Sequence, residues 1–296
     1  MRIGAYFQAN TDLIRKCSRI ARLPIELFPE TPPEIVVTQG KPEIGNDTRI
    51  VQTLSAGVDH INFKEFPENV VLLSNAGAFS KSVAQHALAL LLSSSRNIVS
   101  FDAETKSGKF VRGSVDSLEG QTAGIIGYGG IGKSFARLAS AVGMKVGIYS
   151  RRPAPDSYVK FTFSSLEDLI ENSYVVLISV PYTKVTHNMI DEKLLSIFSG
   201  KYIINVARAN IVKEGDMRLF LKNNPDKFYL SDVWWNEPEI NMPVPHNVIL
   251  TPHIAGIRRA SYDPTFMEPE ILMAFRNLRR YLDGKPSNIV NKDEYI

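Results

Sequence analysis

Short apolar runs alternate with polar or helix-forming stretches in the first third of the chain. One such stretch, Thr11–Ile20, directly follows the first apolar run. Because parallel strands are joined by crossover segments that are usually helical, this alternation predicts a small parallel α/β unit. Its predicted strands are Arg2–Phe7, Glu34–Gln39, Ile50–Leu54 and Val70–Ser74.

A second, more regular series predicts a doubly wound parallel sheet. Its predicted strands are Thr122–Ile126, Lys145–Tyr149, Tyr174–Ser179, Tyr202–Val206, Phe228–Val233 and Val248–Thr251. Two predicted helices flank this series. The first begins at Ser82 and is apolar around most of its circumference, which indicates a domain connector or a subunit interface. The second, Pro269–Asp283, has proline in its first turn and Gly284 just beyond its end, and we expect it to pack on the first domain.

Length and composition allow two ordinary domains, since the chain has 296 residues of which 44% are hydrophobic. The 34 basic and 31 acidic residues are spread along the chain, so we expect neither a nucleic acid nor a membrane as a partner. The single cysteine, Cys17, excludes an internal disulfide and offers no metal-ligand cluster. We therefore expect no metal site. Because the sequence shows no apolar leader and no run of roughly 20 apolar residues, we also expect a soluble cytoplasmic protein.

A glycine-rich turn lies between an apolar strand and an amphipathic helix. Gly127 can make the tight turn, Gly129 lets the backbone approach a pyrophosphate, and Gly132 allows close packing of helix on strand. The N-terminus of the helix faces the anion. A glycine triplet alone also suits an ordinary turn, but this context predicts a dinucleotide site formed by Gly127, Tyr128, Gly129, Gly130, Ile131 and Gly132.

The end of the second strand of this series bears on the choice of cofactor. NAD-binding proteins usually carry a carboxylate here, about 20 residues beyond the turn, which binds the ribose 2′-hydroxyl. This chain has Ser150, Arg151 and Arg152 instead. A hydroxyl and two guanidinium groups suit a 2′-phosphate, so NADP is predicted in preference to NAD. The alternative is that both arginines are solvated surface residues.

Three further strand ends carry groups suited to hydride transfer, namely Arg208, Glu237 and His253. Ligands of open α/β sheets bind beyond the carboxyl ends of the strands. Oxidising an alcohol releases a hydride and a proton, so it needs a base that titrates near neutrality, such as histidine. A carboxylate on the other ring nitrogen would fix the tautomer, and a guanidinium would bind a substrate carboxylate. Taken singly, each residue also has an ordinary structural explanation.

Seven segments in order resemble the D-isomer-specific 2-hydroxyacid dehydrogenases, particularly the branch that contains glycerate dehydrogenase, hydroxypyruvate reductase and phosphoglycerate dehydrogenase. The resemblance covers most of the chain and is more specific than the glycine turn. The segments are SAGVDHI from Ser55, SVAQHALALLL from Ser82, GIIGYGGIG from Gly124, SVPYT from Ser179, INVARANIV from Ile204, DVWWNEP from Asp232 and LTPHIAG from Leu250.

The resemblance implies roles for individual residues. Arg208, Glu237 and His253 would be the catalytic residues, and Asp232 would orient the nicotinamide amide. The substrate would contact Arg208 and His253, with its carboxylate on backbone N–H groups in the loop formed by Ser55, Ala56 and Gly57. The further residues expected along the cofactor are Val180, Pro181, Thr183, Val206, Ala207, His253 and Ala255.

The resemblance also implies the architecture, an α/β fold in which a Rossmann-type doubly wound parallel sheet (residues 95–262) is inserted in a smaller flavodoxin-like substrate domain (residues 1–94 and 263–296). The apolar helix from Ser82 would belong to a homodimer interface. The expected substrates are small 2-hydroxy or 2-keto acids, with glycerate/hydroxypyruvate and glycolate/glyoxylate leading. The alternative from another class is an NAD(H)-sensing protein that resembles a corepressor on the same scaffold.

Overall fold

The structure, a computed structural model, describes residues 1–240, 243–256 and 267–295. It divides after Phe79 and after Gly256 into two compact units, with the C-terminal segment joining the N-terminal one. We call these unit 1 (1–79 and the segment after 256) and unit 2 (80–256). The resemblance implied a first domain boundary at 94/95. In the structure, unit 2 begins earlier, at Ser80, because the helix that begins there packs within unit 2. The second predicted boundary, 262/263, lies outside the described residues.

Unit 1 contains a parallel five-stranded sheet in the order β2-β1-β3-β4-β5, counted over its described residues. This is the strand order of flavodoxin-like proteins, as predicted. The strands are β1 (Ile3–Tyr6), β2 (Ile25–Leu27), β3 (Ile35–Thr38), β4 (Ile50–Thr53) and β5 (Val71–Leu73), with helix α1 at Thr11–Ala21.

Unit 2 contains a seven-stranded parallel sheet in its described part, in the order β12-β11-β10-β9-β6-β7-β8. The order reverses at β6, which pairs with β7 on one side and β9 on the other, and this is the arrangement of a Rossmann fold. The strands are β6 (Thr122–Ile126), β7 (Lys145–Tyr149), β8 (Val159–Thr162), β9 (Val175–Ile178), β10 (Tyr202–Asn205), β11 (Phe228–Ser231) and β12 (Val248–Leu250). The predicted fold class is confirmed.

The apolar helix predicted from Ser82 is α2, and it packs against α4 and against strands β10 and β11 of the same unit. Its neighbours explain why apolar residues surround much of it. The helices of unit 2 are α2 (Ser80–Ser95), α3 (Ile98–Lys106), α4 (Gly130–Ala141), α5 (Leu166–Glu171), α6 (Glu192–Ser196) and α7 (Glu214–Asn223). Within the described ranges, no helix has the length and apolar character needed to cross a membrane.

The last helix, α8 (Glu268–Leu282), belongs to unit 1 and packs against α1, as predicted. Pro269 lies in its first turn, and Gly284 follows its end with φ +70°, a conformation that glycine adopts without strain. Ile271, Phe275 and Leu278 are buried in the core of unit 1. These apolar residues form the face of α8 that folds inward.

Two strands were absent from the sequence prediction, β2 and β8, and both lie at the edge of a sheet. Most of their side chains are exposed or half-buried. An edge strand with little buried surface does not need a run of apolar residues, so its sequence carries a weak signal.

Candidate active site

The glycine turn lies where the chain passes from β6 into α4. Gly127 has φ +91°, and a Cβ there would lie 2.7 Å from Cγ1 of Val180. A Cβ on Gly132 would lie 2.3 Å from the carbonyl oxygen of Gly127. Neither position has room for a side chain, so both glycines are required by the close approach of helix and strand.

Gly129 differs from Gly127 and Gly132, because a Cβ built on it would meet no atom within 4 Å. It is the N-cap of α4 and has an extended conformation. The first N–H groups of a helix have no partner within it and attract anions. Open space in front of these donors fits the pyrophosphate of a dinucleotide, so the residues present suit the predicted cofactor.

Tyr128 fills the second position of the turn and is only 6% exposed. Burial and the neighbouring Asp156 carboxylate raise the pKa of its phenol. Lys133, in the first turns of α4, lies over the ring with its Nζ 5.7 Å from the centroid. Asp156, which sequence reasoning missed, belongs to the loop that follows β7.

The segment after β9 borders the glycine turn. Ser179 donates a hydrogen bond from its hydroxyl to the carbonyl of Gly127 over 2.8 Å, and Val180 is the residue against which Gly127 packs. Thr186 donates to the carbonyl of Pro181 and accepts from the backbone N–H of Thr183, which shapes the loop. Val180 therefore lies at the point where the strand order reverses, the usual crevice for a dinucleotide.

Ser150, Arg151 and Arg152 follow β7 directly, as predicted. Ser150 is half-buried and both arginines are exposed. The strand end itself therefore presents a hydroxyl and two cations rather than a carboxylate. Within the residues that the structure describes, no group of three His, Cys, Asp or Glu residues could hold a metal ion.

The structure brings His253 and Glu237 together, with Nδ1 of the imidazole 2.7 Å from Oε2 of the carboxylate. Glu237 lies in the loop after β11, and His253 in the loop after the neighbouring strand β12. The other oxygen of Glu237 accepts the backbone N–H of Trp234 over 2.6 Å. The carboxylate is thus held by its own loop, and its contact with Nδ1 directs Nε2 of the imidazole to other partners.

The two tryptophans of this loop are part of the core, with exposures of 3% and 4%. Trp235 donates from its indole nitrogen to the carbonyl of Val212 and stacks on Tyr229. Trp234 meets Trp235 edge to face, with ring centroids 4.9 Å apart. They anchor the loop that carries Glu237, so packing in the core explains their bulk.

Arg208 lies just beyond β10, whose sheet neighbour is β11. Asn205, at the end of β10, donates to the carbonyl of Arg208 over 3.0 Å and accepts the N–H of Ala207. The Arg208 guanidinium donates to the Ala207 carbonyl over 2.8 Å. Val206 and Ala207 are buried beside it. Sequence reasoning missed Asn205, a fully buried amide that shapes the backbone around the arginine.

Asp232, at the end of β11, holds the loop that carries His253. Its carboxylate accepts the hydroxyl of Thr251 over 2.6 Å and the backbone N–H groups of Ile254 and Ala255 over 2.9 and 2.7 Å. Its carbonyl accepts the N–H of His253. His253 has φ +54°, a conformation that costs free energy outside glycine and persists where surrounding bonds enforce it. The predicted contact of Asp232 with the nicotinamide stays a prediction.

The predicted substrate loop of Ser55, Ala56 and Gly57 follows β4 in unit 1. The carbonyl of Ser55 accepts the hydroxyl of Thr53 and the N–H of Asn75. The Ser55 hydroxyl is buried and has no hydrogen-bond partner among the described residues. The role of this loop in binding the substrate carboxylate stays a prediction.

The chain is similar to known proteins over most of its length. The model of the D-isomer specific 2-hydroxyacid dehydrogenase NAD-binding domain matches residues 88–255. A glyoxylate reductase of Thermococcus gammatolerans is 31% identical over 261 residues, which cover 83% of this chain and 77% of that protein.

Two solved structures extend the likeness. A glycerate dehydrogenase related protein of Thermoplasma acidophilum is 40% identical, with a TM-score of 0.70 over 95% of this chain and 100% of that one. An NAD-complexed D-isomer specific 2-hydroxyacid dehydrogenase of Lactobacillus delbrueckii, 20% identical, shares the fold with a TM-score of 0.75 over 98% of this chain and 100% of that one. The chain belongs to the D-isomer-specific 2-hydroxyacid dehydrogenase family and is a nicotinamide-dependent oxidoreductase of small 2-hydroxy and 2-keto acids.

Proposed function

We propose that this enzyme reduces glyoxylate or hydroxypyruvate to the corresponding 2-hydroxy acid and prefers NADPH as the hydride donor. The observation that carries the proposal is the 2.7 Å contact of His253 and Glu237. Both residues lie just past the carboxyl ends of neighbouring strands in a Rossmann sheet. Relatives at 31% identity that are named glyoxylate reductase support the choice of a small acid.

His253 is the proposed acid/base. Its Nδ1 is occupied by Glu237, so Nε2 is the nitrogen that gives a proton to the substrate oxygen during reduction and takes it back during oxidation. Glu237 selects the tautomer with hydrogen on Nδ1 and stabilises the imidazolium. The nicotinamide, when bound, supplies the hydride that reduces C2.

Arg208 is the proposed electrophile. A guanidinium can bind a carboxylate through two parallel hydrogen bonds and can stabilise negative charge that develops on a carbonyl oxygen. The backbone that carries it is held by the buried amide of Asn205. From the resemblance we further propose that N–H groups of Ala56 and Gly57 bind the substrate carboxylate. Pro181, Thr183, Asp232 and Ala255 keep their proposed roles along the cofactor.

A panel of 2-keto acids, followed by loss of nicotinamide absorbance with NADPH and with NADH, tests this function. We expect the highest kcat/KM for glyoxylate or hydroxypyruvate and lower values for acids with bulky side chains. Tight NADPH binding without turnover of any 2-keto acid would contradict the proposal and favour the sensor alternative.

The preference for NADPH rests on Ser150, Arg151 and Arg152. Replacing both arginines with alanine should raise KM for NADPH about tenfold or more and leave KM for NADH within about twofold, because only NADPH carries the 2′-phosphate that they would bind. Arg276→Ala, an exposed arginine of α8, is the control. An equal effect on both cofactors would show that the arginines do not read the 2′-phosphate.

We also propose that the enzyme is a cytoplasmic homodimer. The region that follows α2 exposes several large apolar side chains, which suits contact with a second copy. They are Ile98, Val99, Phe110 and Val111, each at least 52% exposed. Sedimentation at micromolar concentration should give twice the mass of one chain, and a Phe110→Glu variant should sediment as the monomer.

The proposed cytoplasmic location rests on Cys17, a buried free thiol that suits a reducing compartment. Cell fractionation tests this location.

A further inference from the structure

His86 reaches from α2 to the ends of β11 and β12. Its Nε2 lies 2.8 Å from Oγ1 of Thr251 and 3.4 Å from Oδ1 of Asp232. Its side chain is 20% exposed, whereas that of Asp232 is 3% exposed. A histidine of a helix therefore joins the same cluster of polar groups that holds the loop of His253.

The hydrogen bonds of Thr251 decide the tautomer of His86. A threonine hydroxyl has one proton, and that of Thr251 points to Asp232 over 2.6 Å. The contact with His86 then requires that the imidazole donate from Nε2 to a lone pair of Thr251. His86, Thr251 and Asp232 thus form a directed chain of donors that ends on the carboxylate.

This chain of donors strengthens the hydrogen bonds by which Asp232 holds the loop that carries His253, which we call the catalytic loop. The same carboxylate accepts the N–H groups of Ile254 and Ala255, on the C-terminal side of His253. A donor to Thr251 polarises its hydroxyl and holds that hydroxyl in one rotamer. The hydroxyl in turn orients the carboxylate of Asp232, to which the N–H groups of the loop are bonded. Hydrogen bonds to Asp232 thus lie at and after His253, whose φ is +54°.

We propose that His86 is a positioning residue for His253 and acts through Thr251 and Asp232. It does not itself exchange a proton with substrate. The proposal rests on the proposed role of His253 and adds that α2 supplies one of the supports of the catalytic loop. Small displacements of a catalytic group cost large factors in rate, so loss of this support should appear in kcat.

Four variants test the proposal. His86→Phe keeps the ring shape but lacks a donor, and should lower kcat about tenfold while KM for the keto acid stays within about twofold. His86→Gln carries an N–H donor at a similar reach and should recover most of kcat. Thr251→Val should lose a similar factor, and the double variant His86→Phe/Thr251→Val should lose no more than the single ones, because both act through one path. His246→Phe, on the exposed loop before β12, is the control and should keep wild-type kcat.

Hydrogen exchange of the peptide that spans residues 251–256 gives a readout that needs no turnover. Exchange of this peptide should become about tenfold faster in His86→Phe and Thr251→Val and remain unchanged in His246→Phe. Unchanged exchange in His86→Phe would overturn the inference, whether or not the wild type reduces a keto acid. Faster exchange with no activity in the wild type would refute the proposed function and leave the positioning role supported. A His86→Phe variant that melts at a lower temperature but keeps wild-type kcat and exchange would show a purely structural role.

Discussion

Replacing His253 by alanine is expected to lower kcat for the 2-keto acid by about 10⁴-fold, because a general acid at this position accounts for a factor of this order. KM for NADPH should stay within about twofold, since His253 is one of many residues expected along the cofactor and the glycine turn between β6 and α4 does not involve its side chain. Steady-state absorbance assays measure kcat and KM, and a fluorescence titration with NADPH measures separately whether cofactor binding is retained.

Glu237→Gln and His246→Ala are the matched variants for this experiment. The glutamine keeps a polar group next to Nδ1 but cannot stabilise the imidazolium, so its kcat should fall between those of wild type and His253→Ala. His246 is an exposed histidine away from the proposed catalytic residues and should behave as wild type. Near-normal turnover in His253→Ala would mean that another group transfers the proton.

Arg208→Ala is expected to lower kcat/KM for the keto acid by about 10³-fold, because a fixed guanidinium stabilises both the substrate carboxylate and the charge that develops on the carbonyl oxygen. Arg208→Lys should recover only part of this loss, since an ammonium cannot make two parallel hydrogen bonds. Steady-state kinetics over a range of keto acid concentrations separate the effects on kcat and KM.

Substrates without a carboxylate sharpen the test of Arg208. If the guanidinium binds that group, the variant should lose far less on an α-keto amide than on the keto acid. Equal losses on both compounds would instead assign Arg208 to the carbonyl oxygen alone. Arg276→Ala controls for the loss of a positive charge elsewhere on the chain.

The sequence by itself determined the two sheets and the order of the chemical groups. Strands such as β6, β9 and β10 are buried on both faces, so they appear in the sequence as largely apolar runs. The glycine turn was equally legible, because positive φ and close packing leave glycine as the residue that fits. The positions of Arg208, Glu237 and His253 followed from the rule that ligands bind beyond the carboxyl ends of parallel strands.

Only the tertiary structure decided which polar groups meet. The contact of Glu237 with His253, and that of Asp232 with Thr251, join residues from neighbouring strands at distances that no local pattern encodes. In the sequence His86 is one of several polar residues of a largely apolar helix, and the fold alone brings it to Thr251 and Asp232. Side-chain hydrogen bonds depend on ångström-scale placement in three dimensions, which a sequence does not specify locally. Hydrophobic periodicity depends on neighbours along the chain, so it can be recognised in the sequence itself.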